Sequence, residues 1–276
     1  MATVKVGTEN SADIELYYED HGNGRPVVLI HGFPLSGRSW EKQTRALLEA
    51  GYRVITYDRR GFGKSSQPSA GYEYDTFAAD LKALLDHLDL HDATLAGFSM
   101  GSGEVVRYIA NYGSGRVSRA VLLAPLQPYL LDNPDDPDAE PDRSMIDGIE
   151  ESIRADRPAF LTGFFENFYN LDEFLGKRIS EEALRESWTV AVGASAIATL
   201  ACPDTWITDF RADLPKIDVP VTVIQGTADR ILPIEITGGR LPDMIGDCRL
   251  VRIDGAPHGF LVTHADEVNA ALLDAV

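Results

Sequence analysis

The stretch LAGFSMGSGE, residues Leu95–Glu104, decides the fold of this 276-residue chain. It contains the pattern Gly-x-Ser-x-Gly, with Ser99 at its centre. The apolar run 93–96 precedes the pattern as a strand would, and residues 104–110 follow it with helical spacing. Ser99 is therefore predicted at a strand-to-helix turn, where the flanking glycines let strand and helix approach closely. The alternative, a chance pattern in a glycine-rich loop, is disfavoured by this context.

A serine at such a turn has the surroundings of a catalytic nucleophile. The N–H groups at the start of the helix and the positive end of its dipole can hold an oxyanion beside Ser99. We predict the backbone N–H of Met100 as one oxyanion donor and that of Phe33 as the other, because Phe33 lies in a loop after an early strand. The Phe33 ring is also expected to line a pocket. His31 is expected to hydrogen-bond within this loop and hold it in place.

Two further polar residues each follow a predicted strand near the end of the chain. Asp229 comes after the strand at 219–224, and His258 comes after the strand at 249–253. Because the carboxyl ends of parallel strands meet at one sheet edge, both side chains are expected near Ser99. Ser99, Asp229 and His258 stand in the chain order of nucleophile, acid and base in α/β-hydrolases. The other histidines lie before the helical insertion or in the final helix region, so they compete poorly.

Hydrophobic patterning places the whole chain in the α/β class. The predicted strands are 3–6, 14–19, 26–30, 52–57, 93–96, 117–124, 219–224 and 249–253. The first two read as an edge hairpin, whereas the later continuous apolar runs are typical of buried parallel strands. Predicted helices lie at 39–50, 75–88, 104–110, 234–245 and 265–275. We expect a mostly parallel eight-stranded sheet with helices on both faces.

A helical, aromatic-rich segment from residue 144 to about 210 interrupts the strand pattern after the sixth strand. We interpret it as a helical cap over the carboxyl edge of the sheet. The predicted domains are a core of residues 1–125 and 211–276 and a cap of residues 126–210. The acidic, proline-broken loop 132–142 is expected to be solvated. Helical spacing favours core positions for most cap aromatics, and the predicted pocket residues are Phe33, Pro34, Phe98, Phe164 and Trp206.

Composition narrows the range of partners. The formal net charge of −18 argues against nucleic acid and anionic lipid surfaces and favours small uncharged substrates. The N-terminal residues lack the features of a signal peptide, and no apolar run approaches the length of a membrane span, so we expect a cytoplasmic protein. The two cysteines, Cys202 and Cys248, exclude a disulfide framework and read as small buried residues.

Two other segments resemble ligand sites only in composition. Residues 58–65 hold glycines and basic side chains but lack the spacing of a phosphate-binding loop, so structural ion pairing by Asp58, Arg59 and Arg60 is the better interpretation. His87 and His91 lie among carboxylates, yet the helix is predicted to end near Leu88 and leaves them on no common face. We predict no metal and no cofactor, and the chain carries no Cys-x-x-Cys-His motif for haem attachment.

Several segments beyond the nucleophile turn carry a close resemblance to a known family. They are HGFPLS (31–36), YDRRGFG (57–63), YDTFAAD (74–80), GFSMG (97–101), TWITDFR (205–211) and APHG (256–259). The chain resembles the cofactor-free, non-heme haloperoxidase and arylesterase group of the α/β-hydrolases almost from end to end. It departs from that group at Gly238 and Gly239, where relatives carry better helix formers, and at Val276, where the chain ends a few residues early.

The resemblance implies acyl transfer through an acyl-enzyme on Ser99, with His258 as base and Asp229 orienting it. Water as second nucleophile gives an esterase, and hydrogen peroxide gives a peracid that oxidises bromide or chloride away from the protein. It also implies a homotrimer. A plain carboxylesterase or lactonase with incidental perhydrolase activity is the alternative, and a non-catalytic binding protein is a remoter one. Dehalogenases and epoxide hydrolases are disfavoured because their nucleophile is a carboxylate.

Overall fold

The computed structural model describes residues 2–131 and 142–276, and within them eight strands form one sheet. The strands are β1 (Thr3–Glu9), β2 (Ala12–His21), β3 (Pro26–Ile30), β4 (Arg53–Tyr57), β5 (Ala93–Phe98), β6 (Val117–Leu123), β7 (Val221–Gly226) and β8 (Cys248–Ile253). Their order across the sheet is β1-β2-β4-β3-β5-β6-β7-β8. The pairs β1–β2 and β2–β4 are antiparallel and the others are parallel, which confirms the predicted sheet and its edge hairpin.

Helices cover both faces of the sheet. They are α1 (Glu41–Glu49), α2 (Tyr74–His87), α3 (Met100–Tyr112), α4 (Ser144–Phe168), α5 (Leu171–Phe174), α6 (Glu181–Val192), α7 (Ala196–Trp206), α8 (Phe260–Thr263) and α9 (Ala265–Ala275). Side chains of α2 and α3 join one buried apolar cluster, and those of α1 and α9 join a second. Strands covered on both faces read as continuous apolar runs, as the sequence of β3 does. In the part of the chain that the structure describes, no helix combines the length and apolar composition needed to cross a bilayer.

The turn from β5 to α3 consists of Ser99 alone. Its backbone adopts φ 53° and ψ −122°, a strained conformation for a residue with a side chain. A Cβ on Gly97 would lie 2.4 Å from the carbonyl oxygen of Gly101, and a Cβ on Gly101 would lie 2.4 Å from that of Ile30. Helix α3 therefore packs directly on β3 and β5 only because both positions lack a side chain.

The helices α4 to α7 lie in the chain between β6 and β7, where the sequence predicts a helical segment. Helix α4 is kinked at Asp156, whose backbone is non-helical with φ −159° and ψ 89°. Pro158 causes the break, since it has no N–H to donate, and the Asp156 carboxylate accepts a hydrogen bond from the N–H of Ala159 at 3.0 Å. Of the acidic loop predicted at 132–142, residues 132–141 lie outside the described residues.

The predicted helix over 234–245 is wrong. The structure has only a 3₁₀ turn there, Gly238–Asp243, which contains Pro242. The N–H of Gly238 donates to the side chain of Gln225, and a Cβ on Gly239 would lie 2.5 Å from the carbonyl oxygen of Ile234. The N–H of Gly238 thus donates to a strand side chain instead of to the carbonyl oxygen of Ile234, which a helix would require and which here accepts the N–H of Gly239.

We predict that Gly101→Ala lowers the free energy of unfolding by roughly 3 kcal/mol or prevents folding, because the new methyl group would meet the backbone of β3. Gly163→Ala in α4 is the matched control, since its Cβ would have no neighbour within 4 Å. That control should stabilise the protein by about 0.5–1 kcal/mol. Urea unfolding measures both values, and a Gly101→Ala variant as stable as the parent would contradict this explanation of the turn.

Candidate active site

The three residues predicted as nucleophile, base and acid meet at the carboxyl edge of the sheet. The Nε2 of His258 lies 2.9 Å from the Oγ of Ser99, and its Nδ1 lies 2.7 Å from Oδ2 of Asp229. A carboxylate only accepts hydrogen bonds, so Nδ1 carries the ring proton and donates it to Asp229. Nε2 is then the acceptor for the Ser99 hydroxyl. This arrangement can move a proton from the hydroxyl to the ring as the hydroxyl attacks a carbonyl group.

The Asp229 carboxylate is held by backbone groups of its own loop. Its Oδ1 accepts the N–H of Ile231 at 2.9 Å and that of Leu232 at 2.8 Å, while Oδ2 faces His258. The side chain is buried. These two backbone hydrogen bonds fix which carboxylate oxygen meets the imidazole.

Aromatic rings confine the imidazole of His258. Phe98 lies with its centroid 5.1 Å from the ring, and Phe168 of α4 meets it edge-on at 5.0 Å. Next to the ring, the N–H of Gly259 donates to the carbonyl oxygen of Phe168 at 2.6 Å. A Cβ at Gly259 would lie 2.3 Å from Tyr169, so glycine is required for this close approach of α4. The imidazole of His258 is thereby oriented from two sides and almost fully shielded from solvent.

The two residues predicted as oxyanion donors belong to segments that adjoin Ser99. Met100 is the first residue of α3, so its N–H has no partner within the helix. The loop that carries Phe33 lies against Ser99, since a Cβ at Gly32 would lie 2.9 Å from the Cβ of Ser99. His31 holds this loop, as predicted: its Nδ1 contacts the carbonyl oxygen of Gly32 at 2.9 Å.

A buried ion pair joins this loop to the helix that starts at the nucleophile. Arg59, after β4, donates its backbone N–H to Nε2 of His31 at 2.9 Å and its Nη2 to the His31 carbonyl oxygen at 2.7 Å. Its Nε pairs with Glu104 of α3, which also accepts the hydroxyl of Tyr57. Both charged groups are essentially inaccessible to solvent. Since removing one partner of such a pair typically costs about 3–5 kcal/mol, this network fixes the loop of Phe33 relative to α3.

A small cavity opens at Ser99, with a volume of about 20 Å³. It is lined by Phe33, Ser99, Leu126, Phe164, Trp206, Ile231 and Leu232. Phe33, Phe164 and Trp206 were predicted as pocket residues, and the structure brings them together. Pro34 and Phe98 do not line this cavity. The period of two in β5 places Phe98 on the face of Ala96, where it packs against Trp40 and His258.

Sequence reasoning missed Leu126, Ile231 and Leu232. Ile231 and Leu232 form an apolar pair just after Asp229, in a loop at the carboxyl edge of β7. An apolar pair so close to a catalytic acid at this edge is a usable signal for a pocket wall. Leu126 follows β6 in the same way and carries the same signal.

The other segments considered above have structural roles. Arg60 pairs with Asp80 in a buried two-pronged ion pair, and Asp58 accepts the N–H groups of Gly37 and Lys64 rather than pairing with an arginine. His87 contacts Tyr18. Over residues 2–131 and 142–276 the structure groups no three His, Cys, Asp or Glu side chains in a metal-binding arrangement. Burial raises the pKa of the Cys202 thiol to about 12, so this thiol stays protonated.

The chain is similar to known proteins over almost all of its length. Residues 25–265 match the family described as having the alpha/beta hydrolase fold. A protein of Synechocystis sp. with the provisional name non-heme chloroperoxidase is 60% identical over 274 residues, which cover 99% of each chain. A bifunctional esterase/perhydrolase of Acinetobacter calcoaceticus is 32% identical over 97% of each chain. The crystal structure of a bromoperoxidase from Bacillus anthracis superposes with a TM-score of 0.93 at 49% identity, covering 99% of this chain and 98% of that one.

The protonation state of His31 makes the stability of the protein depend on pH, and this dependence tests how His31 is held in the loop that carries Phe33. Burial, and secondarily the charge of Arg59, hold the pKa of His31 well below its ordinary 6.5. Below about pH 6.5 the unfolded chain binds a proton at His31 that the folded chain cannot bind, so stability falls as the pH is lowered. We predict that His31→Gln makes this fall shallower by up to about 1.4 kcal/mol per pH unit.

Urea unfolding at about pH 7.5 and about pH 5.5 measures this difference in slope. His264→Gln is the control, because burial lowers the pKa of His264 in the same direction but less strongly. Equal slopes in His31→Gln and the parent protein would show that His31 does not stay neutral in the folded state.

Proposed function

The chain belongs to the α/β-hydrolase family, and on that premise we propose that it is a serine hydrolase with the triad Ser99, His258 and Asp229. It is an enzyme of the branch that contains non-heme haloperoxidases and esterases. One observation carries the proposal: the hydrogen-bonded chain from Ser99 through His258 to Asp229, at the start of a helix and with the serine in a strained turn. A serine with only a structural role would not require this combination of features.

In the acylation step, Nε2 of His258 takes the Ser99 proton while Oγ attacks the carbonyl carbon of an ester or a carboxylic acid. The carbonyl oxygen becomes an oxyanion that accepts the N–H groups of Phe33 and Met100. His258 then returns the proton to the leaving alcohol or water, and an acyl group remains on Ser99. Asp229 keeps the ring in the tautomer that this requires and stabilises the imidazolium.

The second nucleophile decides the product. Attack by water on the acyl-enzyme gives a carboxylic acid, and attack by hydrogen peroxide gives a peracid. His258 takes the proton of either nucleophile and returns it to Oγ of Ser99 as the bond between Oγ and the acyl group breaks. The peracid then transfers its terminal peroxy oxygen to bromide or chloride, which yields a hypohalous acid and the carboxylate. The halide loses two electrons and the peroxide bond gains them, so halogenation needs no redox group of the protein.

The lining and the volume of the cavity favour a substrate with a small acyl group. Apart from Ser99 its walls are apolar, and its volume of about 20 Å³ is close to the space that one or two water molecules occupy. We also propose that residues 126–210 act as a cap on a core of residues 1–125 and 211–276. Phe164 and Trp206 of that segment close the cavity over Phe33, with ring centroids 5.8 Å and 4.9 Å away.

A plain esterase or lactonase shares every step except the use of peroxide, and a binding protein shares the fold without turnover. The intact hydrogen-bonded triad favours turnover over binding alone. Comparing aryl acetate hydrolysis with peroxide-dependent bromination, in acetate buffer, separates the first two functions. A fluorophosphonate that fails to label Ser99 would favour the binding protein.

We predict that Ser99→Ala lowers both ester hydrolysis and peroxide-dependent bromination by about 10³-fold or more, because both pass through the same acyl-enzyme. Ser118→Ala is the control: the Ser118 hydroxyl contacts the carbonyl oxygen of Asp92 near the opposite end of the sheet. It should leave both rates within about 2-fold, as expected of a surface substitution. Bromination that survives in Ser99→Ala while hydrolysis is lost would contradict a shared site.

A further inference from the structure

Leu232 links the proposed catalytic acid, Asp229, to the wall of the cavity. Its N–H donates to Oδ1 of Asp229 at 2.8 Å, and its side chain lines the cavity at Ser99. A shift of this one residue would therefore disturb the acid and change the shape of the pocket together. The contacts that hold Leu232 in place therefore affect both the position of Asp229 and the shape of the pocket.

The carbonyl oxygen of Leu232 accepts a hydrogen bond from the side chain of Gln225 in β7. The Nε2 of Gln225 donates to it at 2.7 Å and to the hydroxyl of Thr237 at 3.0 Å, while Oε1 accepts the N–H of Gly238 at 3.1 Å. The Thr237 hydroxyl donates in turn to the carbonyl oxygen of Pro233 at 2.8 Å. Gln225 and Thr237 are fully buried, so this amide ties both ends of the loop after Asp229 to the sheet.

The orientation of the Gln225 amide is dictated by its surroundings. A flipped amide would set its oxygen against the carbonyl oxygen of Leu232 and its NH₂ group against the N–H of Gly238. Both contacts would be repulsive, and the polarity of backbone groups cannot be reversed. The Gln225 side chain can therefore make these hydrogen bonds in only one orientation. An apolar residue of equal size would remove the close donor of the buried Leu232 carbonyl group and leave it only the Thr237 hydroxyl, at 3.5 Å.

Gly238 packs directly against the amide of Gln225. A Cβ there would lie 2.2 Å from Oε1 of Gln225, 2.9 Å from Val223 and 3.0 Å from Pro125. Any side chain at this position would displace the amide. The glycine that weakens the predicted helix over 234–245 is thus the residue that lets the loop close onto Gln225.

We propose that Gln225 and Gly238 are positioning residues that fix the backbone of Leu232. Through Leu232 they set both the alignment of Asp229 with His258 and the depth of the acyl pocket. This inference rests on the proposed function, because the acyl pocket is defined by reaction at Ser99. Neither residue touches the reacting atoms. Their effect reaches the chemistry only through Leu232.

The test uses Gln225→Leu and two substrates, 4-nitrophenyl acetate and 4-nitrophenyl butyrate. We expect kcat for the acetate to fall by about 10-fold or more while KM changes by less than about 3-fold, because a misplaced acid impairs the chemical step. The ratio of kcat/KM for butyrate over acetate should rise by about 5-fold or more as the Leu232 wall gives way. Gly238→Ala, which keeps Gln225 but displaces its amide, should shift both quantities in the same directions and remains informative if Gln225→Leu does not fold.

Two controls separate positioning from a loss of stability. Thr222→Val removes a hydrogen bond of 3.0 Å from Arg249 at the other end of β7, and Gly246→Ala adds a methyl group with no neighbour within 4 Å. Neither should change the butyrate-to-acetate ratio. An unchanged ratio and kcat in both Gln225→Leu and Gly238→Ala, with the melting temperature lowered, would overturn this inference and leave the proposed function intact. A parent protein that hydrolyses neither ester would overturn the proposed function itself.

Discussion

The strained turn at Ser99 is the constraint on which the rest of the structure depends. Ser99 has φ 53° between a strand and a helix, and the helix begins at the next residue and lies directly on the sheet. Gly97 and Gly101 permit this contact, because a side chain on either would penetrate the neighbouring backbone. The strain is sustained by the packing of α3 on β3 and β5, which buries the first residues of the helix.

Three other loops then converge on this turn, and each is fixed by buried polar groups. The loop of Phe33 is tied to α3 through His31, Arg59 and Glu104. The loop of Asp229 is tied to β7 through Gln225. The loop of His258 is held by α4, through the contact of Gly259 with Phe168. Buried polar links of fixed direction allow one arrangement of each loop, which is what a preorganised site requires.

The sequence predicts which three polar side chains meet at the sheet edge better than it predicts which residues line the cavity. Ser99, Asp229 and His258 could be named because each follows a buried strand, and parallel strands place their carboxyl ends together. The helix predicted over 234–245 is wrong for a reason that hydrophobic patterning does not register: the N–H of Gly238 donates to the side chain of Gln225, 13 residues earlier. The wall residue Leu232, by contrast, carries a local signal, because it belongs to an apolar pair just after Asp229 at the carboxyl edge of β7. Phe98 does not line the cavity, because the period of two in β5 places it on the face of Ala96, against Trp40 and His258.

The central claim is that an acyl group passes through Ser99 on its way to either nucleophile. Its most direct measurement is to acid-quench the enzyme during turnover of an aryl acetate and to map acetyl groups on its peptides by mass spectrometry. We expect one acetyl group, on the peptide that contains Ser99, and a faster loss of it with release of peracetic acid when hydrogen peroxide is added. Steady turnover with no acetyl group on that peptide, or an acetyl group that peroxide does not remove, would contradict the account.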